Sequence, residues 1–280
     1  LPADMGLIAV PAVADPNKWA KPAAPFHLMG NTYSVGSAGV TAFLLTTRAG
    51  EVLIDVGLVQ NADMVERNIQ ALGFHLKDVK IILVSHGHYD HAGGLAKVKA
   101  DTGALLISSE PERYALEKGV YPGSESVKKF QFPPVKVDRT VKDGESVKLG
   151  GLKITAHLTP GHTQGCTSWT WPLKDTDGSA HTAIDFCSAK VGNNRLVPEQ
   201  YPGIVADYQR TFATAKSLPG DVFLEPHTEV FDADAKRAKL GRPGPNPFID
   251  RPGYERMVDD QRALFETALQ AQRQKAAASP

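Results

Sequence analysis

The order of predicted elements points to an α/β protein in which two β-sheets pack face to face with helices outside. Three observations carry this. Each half of the 280-residue chain runs strands first and helices later. The strand segments are apolar runs or alternating patterns bounded by glycine turns. No internal repeat and no linker-like stretch divides the chain, so residues 1–25 are expected to form an irregular arm and residues 26–280 one packed domain.

Taken in order, "LPADMGLIAVPAVADPNKWAKPAAPF" is rich in Pro and Ala without a period, which suits an arm with at most one short helix. "FHLMGNTYSVGSAGVTAFLLTTRAGEVLIDVG" reads as three strands, punctuated by Gly30-Asn31, Ser37-Ala38-Gly39 and Ala49-Gly50. "NADMVERNIQALGF" spaces Met64, Ile69 and Leu72 for a helix ending at Gly73. "VKIILVSH" is a buried strand, and "HAGGLAKVKADTG" a short helix ending at Gly103. "GALLISSEPERYALEKG" is a strand and then a helix running to Gly119. In the second half, strands are joined at Asp143-Gly144 and Gly150-Gly151, and a hairpin turns at Asp177-Gly178. "GIVADYQRTFATAKSLP" is an amphipathic helix, "DVFLEPH" a short buried strand, and Pro252 starts a long terminal helix.

Composition narrows the function. Apolar residues are 42% and charged residues 22% of the chain, and the formal net charge is zero. That balance suits a soluble enzyme and offers no basic stripe for nucleic acid or membrane surface. No apolar run reaches the length of a transmembrane helix.

The chemistry concentrates in "VSHGHYDHAGG", which places His86, His88, Asp90 and His91 within six positions at the end of a buried strand. Open α/β architectures place their sites there. His86 and His88, two apart, point to one side of an extended segment, whereas Asp90 and His91 follow where the backbone turns helical. Neighbours facing different ways suggest two adjacent metals, each short of a ligand. His162, after Pro160-Gly161, and His227, after Pro226, supply them; each again sits past a strand end. His27, His75, His157 and His181 lack that setting and read as structural.

The segments "HGHYDHAGG", "GHTQGCTSW" and "EPH" together resemble the metallo-β-lactamase superfamily, from about Phe26 to the end of the chain. Within it the sequence is similar to class B β-lactamases of subclass B3. The resemblance implies a four-layer αββα sandwich with two zinc ions at one edge between the sheets. It implies that His86, His88 and His162 hold the first zinc and Asp90, His91 and His227 the second. It further implies hydrolysis of the β-lactam amide of penicillins, cephalosporins and carbapenems by a zinc-bound hydroxide that Asp90 orients. Asp55, in "LIDVG", is a candidate second acceptor behind the His86–His91 loop, or simply a strand-end turn residue.

Alternatives stay open within the superfamily. Thioesterases and lactonases carry a Gly-Asp whose carboxylate bridges both metals, and the matching stretch here is "TAIDFCSAK". If Ser188 falls on that position the B3 reading follows; if Asp185 reaches the metals, a thioesterase or lactonase does. Alternation along the strand would put Asp185 and Cys187 on one face. Cys187 has three possible states: a disulfide to Cys166, a buried thiol, or a zinc ligand. The common B3 bridge near the chain end is ruled out, because Gly220 stands in "SLPGDVFL" and no later cysteine exists. An iron-loaded, oxygen-using relative is the rival of a different class, since His and Asp ligands also suit iron. Ser188 and Lys190 are candidates for the substrate carboxylate, and Lys190 departs from the small hydroxyl residue usual in the family. Gln131 is a candidate rim residue, and Trp19 a cover for the apolar part of the substrate. The expected partner is a small-molecule β-lactam, the expected state a monomer, and the expected location periplasmic or secreted, with a signal peptide already removed.

Overall fold

The computed structural model describes residues 16–278. A short helix, α1 (Pro16–Trp19), belongs to the arm; the rest of the expected arm before Pro16 lies outside the described residues. Four strands follow, not three: β1 (Phe26–Met29), β2 (Thr32–Ser34), β3 (Phe43–Thr47) and β4 (Gly50–Ile54). The Gly30-Asn31 turn is as expected, with Gly30 at φ 57°; the extra strand arises at Ser37-Ala38-Gly39, which separates β2 from β3 rather than bulging one strand. Helix α2 (Ala62–Ala71), strand β5 (Val79–Leu83), the single turn α3 (Tyr89–Ala92) and helix α4 (Leu95–Thr102) come next, then β6 (Leu105–Ser109) and α5 (Arg113–Lys118). Gly103 and Gly119 end α4 and α5 in the left-handed region, with φ of 77° and 64°.

Strands β1 to β7 (Arg139–Val141) form a seven-stranded sheet in sequence order. It is antiparallel from β1 to β4 and parallel from β4 onward. The second sheet has five strands in the order β12-β11-β10-β9-β8: β8 (Ser146–Leu149), β9 (Leu152–Leu158), β10 (Thr167–Lys174), β11 (Ala180–Asp185) and β12 (Val222–Leu224). The Asp143-Gly144 turn therefore does not make a hairpin. It carries the chain from one sheet to the other.

Side-chain alternation explains the layering. Phe43, Leu45, Val52, Ile54, Ile81 and Leu83 share one core with Trp169, Trp171 and Leu173 of the second sheet. The intervening residues Leu44, Leu53, Ile82 and Leu106 face the opposite way, into a second core with Val65 and Ile69 of α2 and Val98 of α4. On the far side, α6 (Ile204–Thr214) and, after the short α7 (Ala233–Arg237), the long α8 (Arg251–Ala277) cover the second sheet, with Tyr254 between Phe186 and Phe223. Asp250 caps α8 by accepting from the Gly253 amide at 2.9 Å. The result is the expected αββα order. No helix among the described residues is long and apolar enough to cross a membrane.

A polar bond crosses between the sheets in their core: Trp171 Nε1 donates to Thr32 Oγ1 at 3.0 Å, with Thr32 fully buried. Thr32→Val keeps the shape but strands a buried indole N–H. It should destabilise the fold by about 1–3 kcal/mol, read from the denaturant midpoint, while Thr32→Ser should restore most of the loss. An unchanged midpoint in Thr32→Val would show that this bond is dispensable.

Candidate metal centre

Three strand ends meet at one edge between the sheets. Past β5, residues 84–88 deliver His86 and His88, and α3 then presents Asp90 and His91. The β9–β10 connection carries His162, and the segment after β12 carries His227. Val56 and Gly57 amides both donate to the His91 carbonyl, at 3.2 and 3.0 Å, and tie α3 to the end of β4.

The six side chains converge as two groups of three. One ligand atom each from His86, His88 and His162 lies within 4.8 Å of the others, and the same holds for Asp90, His91 and His227. Asp90 Oδ2 stands 3.3 Å from His91 Nε2 and 3.5 Å from His227 Nε2, and the two Nε2 atoms are 3.1 Å apart. Tetrahedral ligands at zinc bonding distance stand about 3.3 Å from one another, so this triangle matches. The His86 and His91 ring centres are 4.4 Å apart, which makes the groups neighbours.

Two ring nitrogens of the first group are suited to a cation. His86 Nε2 and His88 Nε2 are buried without a hydrogen-bond partner, a rare condition for a buried polar atom. The network also sets their tautomers. Ser85 Oγ donates to Asp55 Oδ2 at 2.6 Å, so His86 Nδ1, 2.9 Å from that hydroxyl, is the donor, and Nε2 keeps its lone pair. His162 Nδ1 lies 2.7 Å from the Lys190 carbonyl, which only accepts, and this again frees Nε2. Asp55 thus acts through Ser85, whose amide it also accepts at 2.7 Å. Its backbone φ of 59° is unusual for a residue with a side chain and turns the carboxylate toward Ser85. To His91 Nδ1 it stands 3.9 Å away, too far for a hydrogen bond.

Charge divides the two groups. Burial pushes the His86 and His88 rings well below the ordinary imidazole range, and takes His162 down to about 4. Burial also opposes charge on His91, but Asp90 and Asp55 outweigh it and hold the ring up, to about 9. Burial opposes charge on Asp90 as well; the His91 and His227 rings overcome it and keep the carboxyl ionised. Behind His91, burial raises Asp55 to about 6 and Glu225 to about 7, and pushes Asp185 well above the carboxylate range.

Other anticipated residues fall less uniformly. Asp185 is buried and lies in neither ligand group; its Oδ1 has no partner. Strand β11 ends at Asp185, so strand alternation does not extend to Cys187, Ser188 and Lys190. Ser188 is buried, with its hydroxyl accepting from the Lys190 amide at 3.3 Å. The Lys190 ammonium pairs with Glu229 at 3.4 Å. Gln131 is exposed and spends its amide on the Glu125 carbonyl at 2.9 Å, so the structure does not bring it to the six side chains. Its neighbour Phe130 stacks on Tyr89 instead. The Trp19 ring lies 5.2 Å from that of His227 and 6.3 Å from that of Tyr89. Cys166 and Cys187 form a disulfide, and the Cys187 sulfur lies 3.6 Å from His86 Nδ1. His27, His157 and His181 bond elsewhere, to the Gly30 carbonyl, Thr170 and Asp221.

Four supporting residues were not legible in the sequence. Asn194 Nδ2 donates to the His162 carbonyl at 3.0 Å and to Tyr208 Oη at 2.9 Å, and its Oδ1 accepts from Tyr121. The Tyr121 ring packs on His88 at 4.3 Å. Glu112 accepts from Gly87 and Thr163. Glu225 accepts from the His227 amide at 2.5 Å. Only Glu225 had a local signal, its place beside Pro226-His227.

The chain is also similar to known proteins. The family model described as "Metallo-beta-lactamase superfamily" matches residues 35–227. BJP-1, a subclass B3 metallo-beta-lactamase of Bradyrhizobium japonicum, superposes with a TM-score of 0.90 at 43% identity, covering 92% of this chain and 98% of that one. The FEZ-1 metallo-beta-lactamase from Legionella gormanii gives 0.85 at 35% identity, covering 90% and 98%. A hydroxyacylglutathione hydrolase of Maricaulis maris (strain MCS10) is 26% identical over 185 residues, 66% of this chain and 60% of that protein. The chain spans about half the length of such hydrolases.

Two outcomes follow from the charges and the sulfurs. His86, His88 and His162 are neutral at pH 7 and offer lone pairs without losing a proton. His91 must give one up. Zinc affinity at the second group should therefore rise about tenfold per pH unit toward about pH 9, while the first group stays flat above about pH 6.5. Competition with a chromophoric chelator at several pH values reads this; two pH-independent steps would contradict it. Thiol titration of the denatured, unreduced protein should find no free sulfhydryl, and Cys166→Ala/Cys187→Ala should keep its full metal load. Loss of one metal in that variant would make Cys187 a ligand.

Proposed function

The chain belongs to the metallo-beta-lactamase superfamily, and from that premise we propose that this hydrolase opens the β-lactam amide of penicillins, cephalosporins and carbapenems with two zinc ions. His86, His88 and His162 would hold one, and Asp90, His91 and His227 the other. The observation that carries the reading is Asp185, which stays outside both ligand groups. In the thioesterase and lactonase pattern an aspartate at this stretch joins the metals.

Zinc in these groups supplies an activated water near neutral pH and polarises the scissile carbonyl. The chain's own residues do the rest. Asp90, ionised because His91 and His227 face it, accepts a hydrogen bond from the attacking water and sets its direction. Asp55 through Ser85, and the Lys190 carbonyl, keep His86 and His162 in the ligating tautomer. Trp19 and Tyr89 form an apolar wall beside His227 for the substituents of the lactam. Lys190 is half-buried at the same edge and offers its ammonium to the substrate carboxylate as a charge-assisted contact, in competition with Glu229. Ser188 contributes its hydroxyl beside it. Gln131 contributes through the loop that carries Phe130. The disulfide supports a periplasmic or secreted location, and a monomer acting on small molecules suits a site built wholly from one chain.

The second reading is glutathione-thioester hydrolysis, favoured by the sequence relatives named hydroxyacylglutathione hydrolase. One assay separates the two: a carbapenem, a glutathione thioester and a lactone, run side by side with the zinc-loaded protein. Carbapenem turnover with slow thioester and lactone hydrolysis is expected, and monobactams, which lack a carboxylate in the usual place, should be poor. Fast thioester turnover without carbapenem hydrolysis would overturn the proposal. Within the panel, Lys190→Ala should raise KM for carboxylate-bearing lactams with little change in kcat. No effect on any substrate would remove Lys190 from recognition.

A further inference from the structure

We infer that Glu112 is the positioning residue of the first ligand group: its carboxylate clamps the His86–His88 loop to the His162 loop. Glu112 stands at the junction of β6 and α5, far in sequence from both loops, and is 2% exposed. Its Oε1 accepts from the Gly87 amide at 2.6 Å, and Gly87 lies between His86 and His88. Its Oε2 accepts from Thr163 Oγ1 at 2.8 Å, one residue past His162. Ser109, three residues earlier, donates to the Gly165 carbonyl at 2.6 Å and fixes the same loop from the same strand end.

The two glycines report how close this clamp sits. A Cβ on Gly87 would stand 2.8 Å from Glu112 Oε1, and one on Gly165 would stand 2.4 Å from the Glu112 amide nitrogen. Both loops therefore press their backbone directly onto Glu112. A carboxylate is the side chain this needs, because an ionised carboxylate only accepts and its two oxygens serve the Gly87 amide and the Thr163 hydroxyl. Gln keeps a single accepting oxygen, so only one of the two loops can go on donating to it. Among the described residues no Lys or Arg pairs with Glu112; burial pushes its carboxyl up, and only hydrogen-bond donors oppose that. A side chain that is costly to bury, bonded only to two loops, has its effect on how those loops lie relative to each other.

The inference rests on the assignment of His86, His88 and His162 to one metal, and the test separates the two. His227→Ala disables the second group and His162→Ala the first, leaving one group to titrate in each background. Zinc binding is measured by chelator competition, with circular dichroism and thermal melting of the metal-free proteins as fold controls. Glu112→Gln should weaken zinc binding about 10- to 100-fold in the His227→Ala background and leave it unchanged in the His162→Ala background. Thr163→Val removes one donor and should give a smaller loss of the same pattern; it decides the matter if Glu112→Gln does not fold. Unchanged first-group affinity, or equal losses in both backgrounds, would overturn the role of Glu112. Absence of any zinc binding by His227→Ala itself would overturn the ligand assignment beneath it.

Discussion

Buried imidazole nitrogens without partners are the constraint on which the rest of this structure turns. His86 Nε2 and His88 Nε2 sit at the edge of an apolar core, where an unpaired polar atom is costly. The fold holds them there because each ring is fixed from behind. Ser85 and Asp55 hold His86, the Lys190 carbonyl holds His162, and Tyr121 packs against His88. The two-sheet core gives those supports rigid places to stand: β4 and β5 bring Asp55 beside Ser85, and β9, β10 and β12 bring the loops of the second sheet against them.

The same arrangement makes the two groups chemically unlike. The first consists of three imidazoles, which burial keeps neutral. The second contains a carboxylate, and Asp90 draws a proton onto His91 when no metal competes for the site. Three more buried carboxylates, Asp55, Asp185 and Glu225, lie near His91. Burial pushes all three toward their neutral forms, and a bound divalent cation would favour the ionised ones. Donor chemistry and electrostatics thus agree on where positive charge belongs.

Much of this was legible in the sequence, because it depends on local pattern. Helices ending at Gly103 and Gly119 needed only an apolar period and a glycine able to take a left-handed conformation. His86, His88, Asp90 and His91 declared themselves by density, and His162 and His227 by repeating the same strand-end setting. Long-range facts were not legible. Nothing near Asp143-Gly144 says that β7 and β8 belong to different sheets. Nothing in "SSEPERYALEKG" says that Glu112 is buried against two distant glycines, nor does "VGNNRL" show that Asn194 holds His162. The strand-face argument does not reach Ser188 and Lys190 for a local reason: β11 stops at Asp185, and a period of two has no meaning past its end.

The central claim is that six side chains from three strand ends form two adjacent metal groups. Anomalous diffraction at the zinc edge, from crystals of the zinc-loaded protein, tests it most directly. Two peaks are predicted, one bonded to His86, His88 and His162 and the other to Asp90, His91 and His227. A single peak, or a peak bonded to Asp185 or to Cys187, would contradict the account.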